Sequence, residues 1–528
     1  MNHAALGYQG AFSAPHQAAA MTGTTILREG GTAMEAMVAA AATIAVVYPH
    51  MNGIGGDGFW LIKRPGHPAL GISACGHAAR LATTSWYHQK GHVQSIPTRG
   101  AQAALTVPGT IGGWAQALAL CPQEHKISLE RLLEDAVHYA DQGIAVTLNQ
   151  HLCTSDKLDG LRDVPGFAEH FLDQTDAPAY GYKLRQPALA NTLRQLSQNG
   201  LRSYYDGELA RIHSNFLEKQ GSPLRIDDFN TYQAENVTPL HLSSSWGDLY
   251  NLPAPTQGVS SLMILGLFDR LSVTHGEGFD HLHGLIEATK QAFILRNKGL
   301  GDPNSMESPA QSWLSDTQLD QLAQQIHRER ALPWPYEPVK GDTIWMGAAD
   351  RYGNMVSFIQ SVFWEFGSGL TCPETGVFFQ NRGAGFSLQP GPNQLAPGKR
   401  PFHTLNPALA QLEDGRIMAY GTMGGEGQPQ TQAALFTRYA HFGIGLQEAI
   451  TAPRWLLGRT WGNNTTSLKI EDRFPEALVG MLRQAGHEVE LLPEYSDLTG
   501  HAGAVVSHPS GLLESAVDPR ADGSSLAL

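Results

Sequence analysis

The chain reads as an α+β protein, and three stretches carry that expectation. An alanine-rich segment early in the sequence has the start and stop signals of one long helix. Residues 128 to 270 read as helices joined by polar loops. Later, two apolar runs rich in β-branched residues flank Asp350 to Asn354, whose Gly353 and Asn354 supply positive φ. Residues 341–361 therefore form a β-hairpin, with Thr343 opening its first strand.

The first helix runs from about Ala33 to Val47, because Thr32 and Glu35 make a capping box and Pro49 ends the pattern. Gly53, Gly55 and Gly58 then match G-x-G-x-x-G. The dinucleotide fingerprint needs a strand before the glycines and a helix after them. Here a helix precedes and a strand over residues 59–63 follows, so that reading is excluded. Residues 107–114 form a turn leading into a helix, and Pro253 and Pro255 mark the entrance to another, amphipathic helix. His283 and Glu287, four apart, would share a helix face, but the segment reads as a solvated helix with incidental histidines rather than a metal site. Pro333, Pro335 and Pro338 forbid helix and central strand, so an exposed, extended connector runs into Thr343.

Composition narrows the function classes. A chain of 528 residues allows several structural units. A net charge of −13 argues against nucleic acid or an anionic membrane as partner. Cys75, Cys121, Cys153 and Cys372 are scattered without a C-x-x-C pair, which points to reduced thiols and away from zinc. The longest apolar run, residues 36–48, is 13 residues, short of the roughly 20 that span a bilayer. The start of the chain lacks a basic segment followed by an apolar one, so a cytoplasmic location is expected. Neither H-E-x-x-H nor G-x-S-x-G occurs.

Thr is a common strand residue, so Thr343 alone says little. The hairpin and the blocks at residues 366–369, 378–387, 397–401 and 421–425 follow one another in an order that resembles the C-terminal half of the γ-glutamyltranspeptidase family. The Gly-rich turn at residues 53–58 and residues 107–114 have family counterparts too, and the resemblance spans about residues 10 to 525. It implies the four-layer αββα sandwich of N-terminal-nucleophile (Ntn) hydrolases. It also implies a precursor that cuts itself between Asp342 and Thr343. Residues 1–342 would become a large chain and 343–528 a small one, the two associating and folding as one unit. The chemistry makes sense of the cut: a Thr hydroxyl is a weak nucleophile, and cleavage places its own α-amine beside it as base. That amine titrates at about 7.7–8.0 when unperturbed, near working pH. No metal and no organic cofactor is called for.

By the same resemblance, Ser361 falls where the family has a hydroxyl residue bonded to the nucleophile. Gly424 and Gly425 match the paired glycines whose N–H groups form the oxyanion hole. The departures concern the substrate. Transpeptidases that hold the α-amino and α-carboxyl groups of a γ-glutamyl donor carry Asn, Gln and Asp where this chain has Phe363, Arg382 and Gly385. His403 and Thr404 replace two serines, and the arginine that grips the donor carboxylate has no counterpart around residues 74–87. Phe363 makes the pocket smaller and more apolar, while Arg382 brings a fork of N–H donors suited to a carboxylate. With no Asp at 385, nothing remains to pair an ammonium. A compact anionic acyl group without an amine is expected, with oxamate the first choice and oxalate and ammonia the products. The chain resembles most the γ-glutamyltransferase-like branch that includes oxamate amidohydrolase and glutaryl- or cephalosporin-type acylases. Hydrolysis or transfer of γ-glutamyl or glutaryl amides is the alternative. A non-catalytic relative is the rival class, although a binding module has no need of nucleophile, hydroxyl partner and Gly pair together.

Overall fold

The computed structural model describes residues 3–122, 126–334, 342–458 and 466–528. Residues 335–341 of the expected connector lie outside them.

Two seven-stranded sheets form the centre. One runs Ser524–Ala527, Gly10–Ala14, Asp342–Asp350, Met355–Phe363, Asp57–Lys63, Leu70–Ala74, Glu235–Val237. The other runs Ala5–Gly7, Leu513–Val517, Ala502–Ser507, Ile417–Thr422, Ala408–Leu412, Gly247–Asn251, Leu240–Ser244. The pairings within both are antiparallel. The expected hairpin lies at the heart of the first sheet.

Alternation along each strand explains the layering, because successive side chains leave a sheet on opposite faces. Phe59, Leu61, Trp345 and Ile359 meet Leu409, Ala419 and Val505 between the sheets. Their neighbours Trp60, Met346 and Phe358 point the other way, onto helices Gln17–Arg28 and Ala33–Val47. Met418, Tyr420 and Ala504 of the second sheet face helices Gly258–Arg270 and Phe279–Gly299. The order is helix, sheet, sheet, helix, as expected. Both hairpin strands are buried on both faces and mostly apolar, and their polar side chains, such as Thr343, Ser357 and Gln360, are hydrogen-bonded.

The Ala33–Val47 helix has the expected capping box: Thr32 N donates to Glu35 Oε2 at 2.8 Å, and Glu35 N to Thr32 Oγ1 at 3.3 Å. The hairpin turn fastens to it. Asp350 accepts from Ala33 N at 2.7 Å, an anion at a helix N-terminus, and also from Asn354 N at 2.9 Å.

Three expectations need correction. Residues 128–270 are not helical throughout: Glu235–Val237, Leu240–Ser244 and Gly247–Asn251 are strands that edge both sheets. Edge strands this short alternate polar and apolar over too few residues to stand out from loop. Helix Gly258–Arg270 is not amphipathic, since residues 258–268 are all buried. Nor is Phe279–Gly299 solvated, because residues 281–293 are buried and its polar groups find partners within the protein. His283 and Glu287 do share a face, and His487 joins them, with ligand atoms within 4.8 Å. These atoms are already engaged: His283 Nδ1 meets His487 Nε2 at 2.9 Å, and Glu287 accepts from Lys290 Nζ at 2.7 Å and Leu332 N at 3.0 Å. None of the four cysteines is in a disulfide. Among the described residues, no helix is long and apolar enough to cross a membrane.

Candidate active site

The site is built on an irregularity in the central hairpin. Asp342 pairs with Phe363, but Ile344 pairs with Gln360, so both Ser361 and Val362 stand opposite Thr343. One extra residue on one strand is a β-bulge, a device that re-aims side chains. It leaves Phe363 at φ +84°, a conformation that costs a bulky residue free energy. Ser361 Oγ helps to hold that turn by accepting the Phe363 N–H at 2.8 Å. Thr343 is buried, and its hydroxyl donates to the Gln360 carbonyl at 2.9 Å.

The Gly-rich turn presses against the bulge from outside. A Cβ on Gly56 would lie 2.1 Å from the Ser361 carbonyl oxygen, so only glycine allows this approach. Gln380 N donates to Gly55 O at 3.0 Å and Asn381 N to Val362 O at 3.1 Å, which brings Arg382 alongside.

Arg382 is fully buried. Its guanidinium stacks on the Phe363 ring at 3.9 Å, and Nη1 reaches Thr404 Oγ1 at a long 3.4 Å. Nε and Nη2 have no hydrogen-bond partner among the described residues. Burial pulls the guanidinium below its ordinary value, and the Asp57 carboxylate opposes this. His403 is equally buried: its Nε2 lies 3.0 Å from Asp57 Oδ2, and its Nδ1 is unpartnered. Burial, and then the Arg382 charge, push His403 well below its usual range, so the ring is neutral at working pH.

Asp57 was not singled out by its sequence, yet it holds this cluster together. It accepts from Gly76 N at 3.1 Å, Gly109 N at 3.2 Å and Gln380 Nε2 at 3.0 Å, and it meets His403 Nε2. Burial pushes its carboxyl up to about 7. The hydrogen bonds pull the other way: three N–H donors meet on Oδ1, while His403 Nε2 faces Oδ2 and can donate or accept according to its tautomer. An acceptor at Oδ1 is what this cage requires. Asp57→Ala should therefore cost about 3 kcal/mol, since it takes this acceptor from the Gly76, Gly109 and Gln380 donors. Urea unfolding measures this, and an unchanged midpoint would refute the cage. A charged residue within a glycine run between a helix and a buried strand was the only sequence signal for it.

The Gly pair lies on the facing sheet. Strand Ile417–Thr422 leads into Gly424 and Gly425 at φ +110° and +50°, and helix Gly427–Phe436 follows. Successive turn residues at a helix N-terminus are where backbone N–H groups can be pooled for an anion. Gln257 connects this turn to the Arg382 side: its Nε2 donates to the Gly425 carbonyl at 2.8 Å and the Thr404 carbonyl at 2.7 Å. The structure thus gathers Phe363, Arg382, His403 and Thr404, and Phe363 pairs with Asp342, the residue before Thr343. At Gly385 a Cβ would meet only the Phe402 carbonyl, at 3.5 Å.

Residues 19–528 match the family model described as Gamma-glutamyltranspeptidase. The chain is 51% identical to the oxamate amidohydrolase proenzyme of Klebsiella pneumoniae subsp. pneumoniae, over 97% of each chain. It is 37% identical to the glutathione hydrolase-like YwrD proenzyme of Bacillus subtilis, over the full length of both. The cephalosporin acylase structure from Bacillus halodurans superposes with a TM-score of 0.93 at 31% identity, covering 100% of this chain and 97% of that one.

Proposed function

The chain belongs to the gamma-glutamyltranspeptidase family, and we propose that it is a self-processing amidohydrolase whose substrate is a small amide bearing a carboxylate, oxamate above all. The precursor cuts between Asp342 and Thr343 to give chains of residues 1–342 and 343–528 that stay associated. The freed Thr343 hydroxyl attacks the amide carbonyl carbon, and its α-amine takes the hydroxyl proton and passes it to the leaving nitrogen. Gly424 and Gly425 N–H groups receive the negative charge on the tetrahedral oxygen, a contribution typically worth about 10²–10³ in rate per donor. Ammonia leaves, water opens the Thr343 ester, and oxalate is released.

One observation carries the substrate reading: the Arg382 guanidinium is fully buried, with Nε and Nη2 unpartnered, next to the residue that pairs with Asp342. Leaving buried charged donors unmade is costly, so the arrangement favours a ligand that completes them. A carboxylate matches the fork. The neutral His403 and the glycine at position 385 offer no negative charge to pair with an ammonium. The 51% identity to an oxamate amidohydrolase proenzyme supports the same choice.

Ammonia release from oxamate, compared with anilide release from a γ-glutamyl anilide, tests the reading. Oxamate should be favoured in kcat/KM by at least about tenfold, roughly 1.4 kcal/mol. Preference for the γ-glutamyl substrate would make the enzyme a γ-glutamyl hydrolase and remove the carboxylate argument.

A further inference from the structure

We infer that Gln257 is a positioning residue for both halves of the site, setting the Gly424–Gly425 turn and the His403–Thr404 wall against one another. This rests on the roles proposed above for the Gly pair and Arg382. Gln257 is fully buried at the N-cap of helix Gly258–Arg270. Both N–H bonds of its Nε2 are used, one on Gly425 O at 2.8 Å and one on Thr404 O at 2.7 Å. Its Oε1 accepts from Arg296 Nη1 at 2.8 Å. Because a guanidinium only donates, that contact fixes which end of the amide is oxygen. The backbone adds a second tie: Gln257 N donates to His403 O at 2.9 Å and His403 N to Pro255 O at 2.9 Å.

Arg296 closes the circuit. It is buried, stacks on Phe293 at 3.8 Å, and its Nη2 pairs with Glu426, the residue following Gly425. From Gly425 the ring therefore runs through Glu426, Arg296 and Gln257 and back to the Gly425 carbonyl. Pinning that carbonyl fixes the peptide plane after Gly425; the plane before it, which carries the Gly425 N–H, is held by Gly427 N donating to Gly424 O at 2.7 Å, so the turn is tied on both sides of Gly425. Pinning the Thr404 carbonyl fixes the hydroxyl that Arg382 Nη1 reaches. Gln257 itself touches none of the proposed reacting groups. Its amide holds oxyanion donors and carboxylate binder in one frame, so loss of the amide should disturb kcat and KM together.

Gln257→Glu and Gln257→Met separate this from a packing role. An ionised carboxylate still accepts from Arg296 but cannot donate to either carbonyl; a protonated one regains a donor. With oxamate near pH 8, Gln257→Glu should lose about 10- to 100-fold in kcat, below the loss of an oxyanion-hole donor outright, with KM raised as well. Towards pH 5 the deficit relative to wild type at the same pH should shrink, whereas Gln257→Met should stay low throughout. A packing role would lower thermal stability and leave kcat and KM of the folded enzyme near wild type. Such a result, or a Gln257→Glu deficit that is the same at both pH values, overturns the proposal. If a variant stays uncut, its processing rate at the two pH values serves as the readout with the same expected pattern. Wild type that processes but leaves both oxamate and the γ-glutamyl anilide untouched would refute the proposed substrate, and the processing rates would still decide on Gln257.

Discussion

Thr343→Ala is expected to remain a single chain of 528 residues, while wild type separates under denaturing conditions into chains of 342 and 186 residues that elute together in gel filtration. The variant lacks the hydroxyl that attacks the preceding carbonyl, so neither the cut nor the α-amine base is made. Loss of hydrolysis should reach roughly 10⁴-fold or more, the scale seen when a nucleophile acts as a unit with its base. Thr343→Ser keeps hydroxyl and amine and loses only the methyl that limits χ1, so it should process and hydrolyse partially. The Thr343 hydroxyl starts from a bond to the Gln360 carbonyl, which orients it beside the bulge before any base exists. Two bands from Thr343→Ala would mean that a protease makes the cut and that Thr343 is not the nucleophile.

Arg382→Ala should leave processing intact and lower kcat/KM for oxamate by about 10²–10³-fold, chiefly through KM. Truncating one member of a buried charged contact typically costs about 2–5 kcal/mol, and 1.4 kcal/mol is a factor of ten. Arg382→Lys should recover only part of this. An ammonium is a single point of charge without the fork, and it would lose the flat stacking on Phe363, now at 3.9 Å. Removal of Arg382 also takes away the cation that opposes burial at Asp57, so a urea midpoint measured beside the kinetics separates loss of binding from loss of fold. Unchanged KM in Arg382→Ala with a wild-type urea midpoint would take Arg382 out of the pocket.

Much of this molecule is legible in its sequence, for local reasons. The Thr32–Glu35 capping box, the Pro49 stop and the turn at Asp350–Asn354 are short-range signals, and each element appears where they place it. The spacing of His283 and Glu287 put them on one face, but their burial was missed. A polar helix segment looks the same in sequence whether water or protein groups satisfy it, and here Lys290 of the same helix, His487 and Leu332 do so.

The sequence by itself determined the family, through that resemblance the layer order, and the threonine that opens the central hairpin. The tertiary structure alone decided what holds the pocket together. Asp57 and Gln257 matter because of partners 19 to 346 positions away along the chain, from Gly76 to His403. The unpartnered Arg382 donors exist only once packing has removed water from them. Burial and long-range hydrogen bonding set those properties, and neither leaves a local pattern in the order of residues.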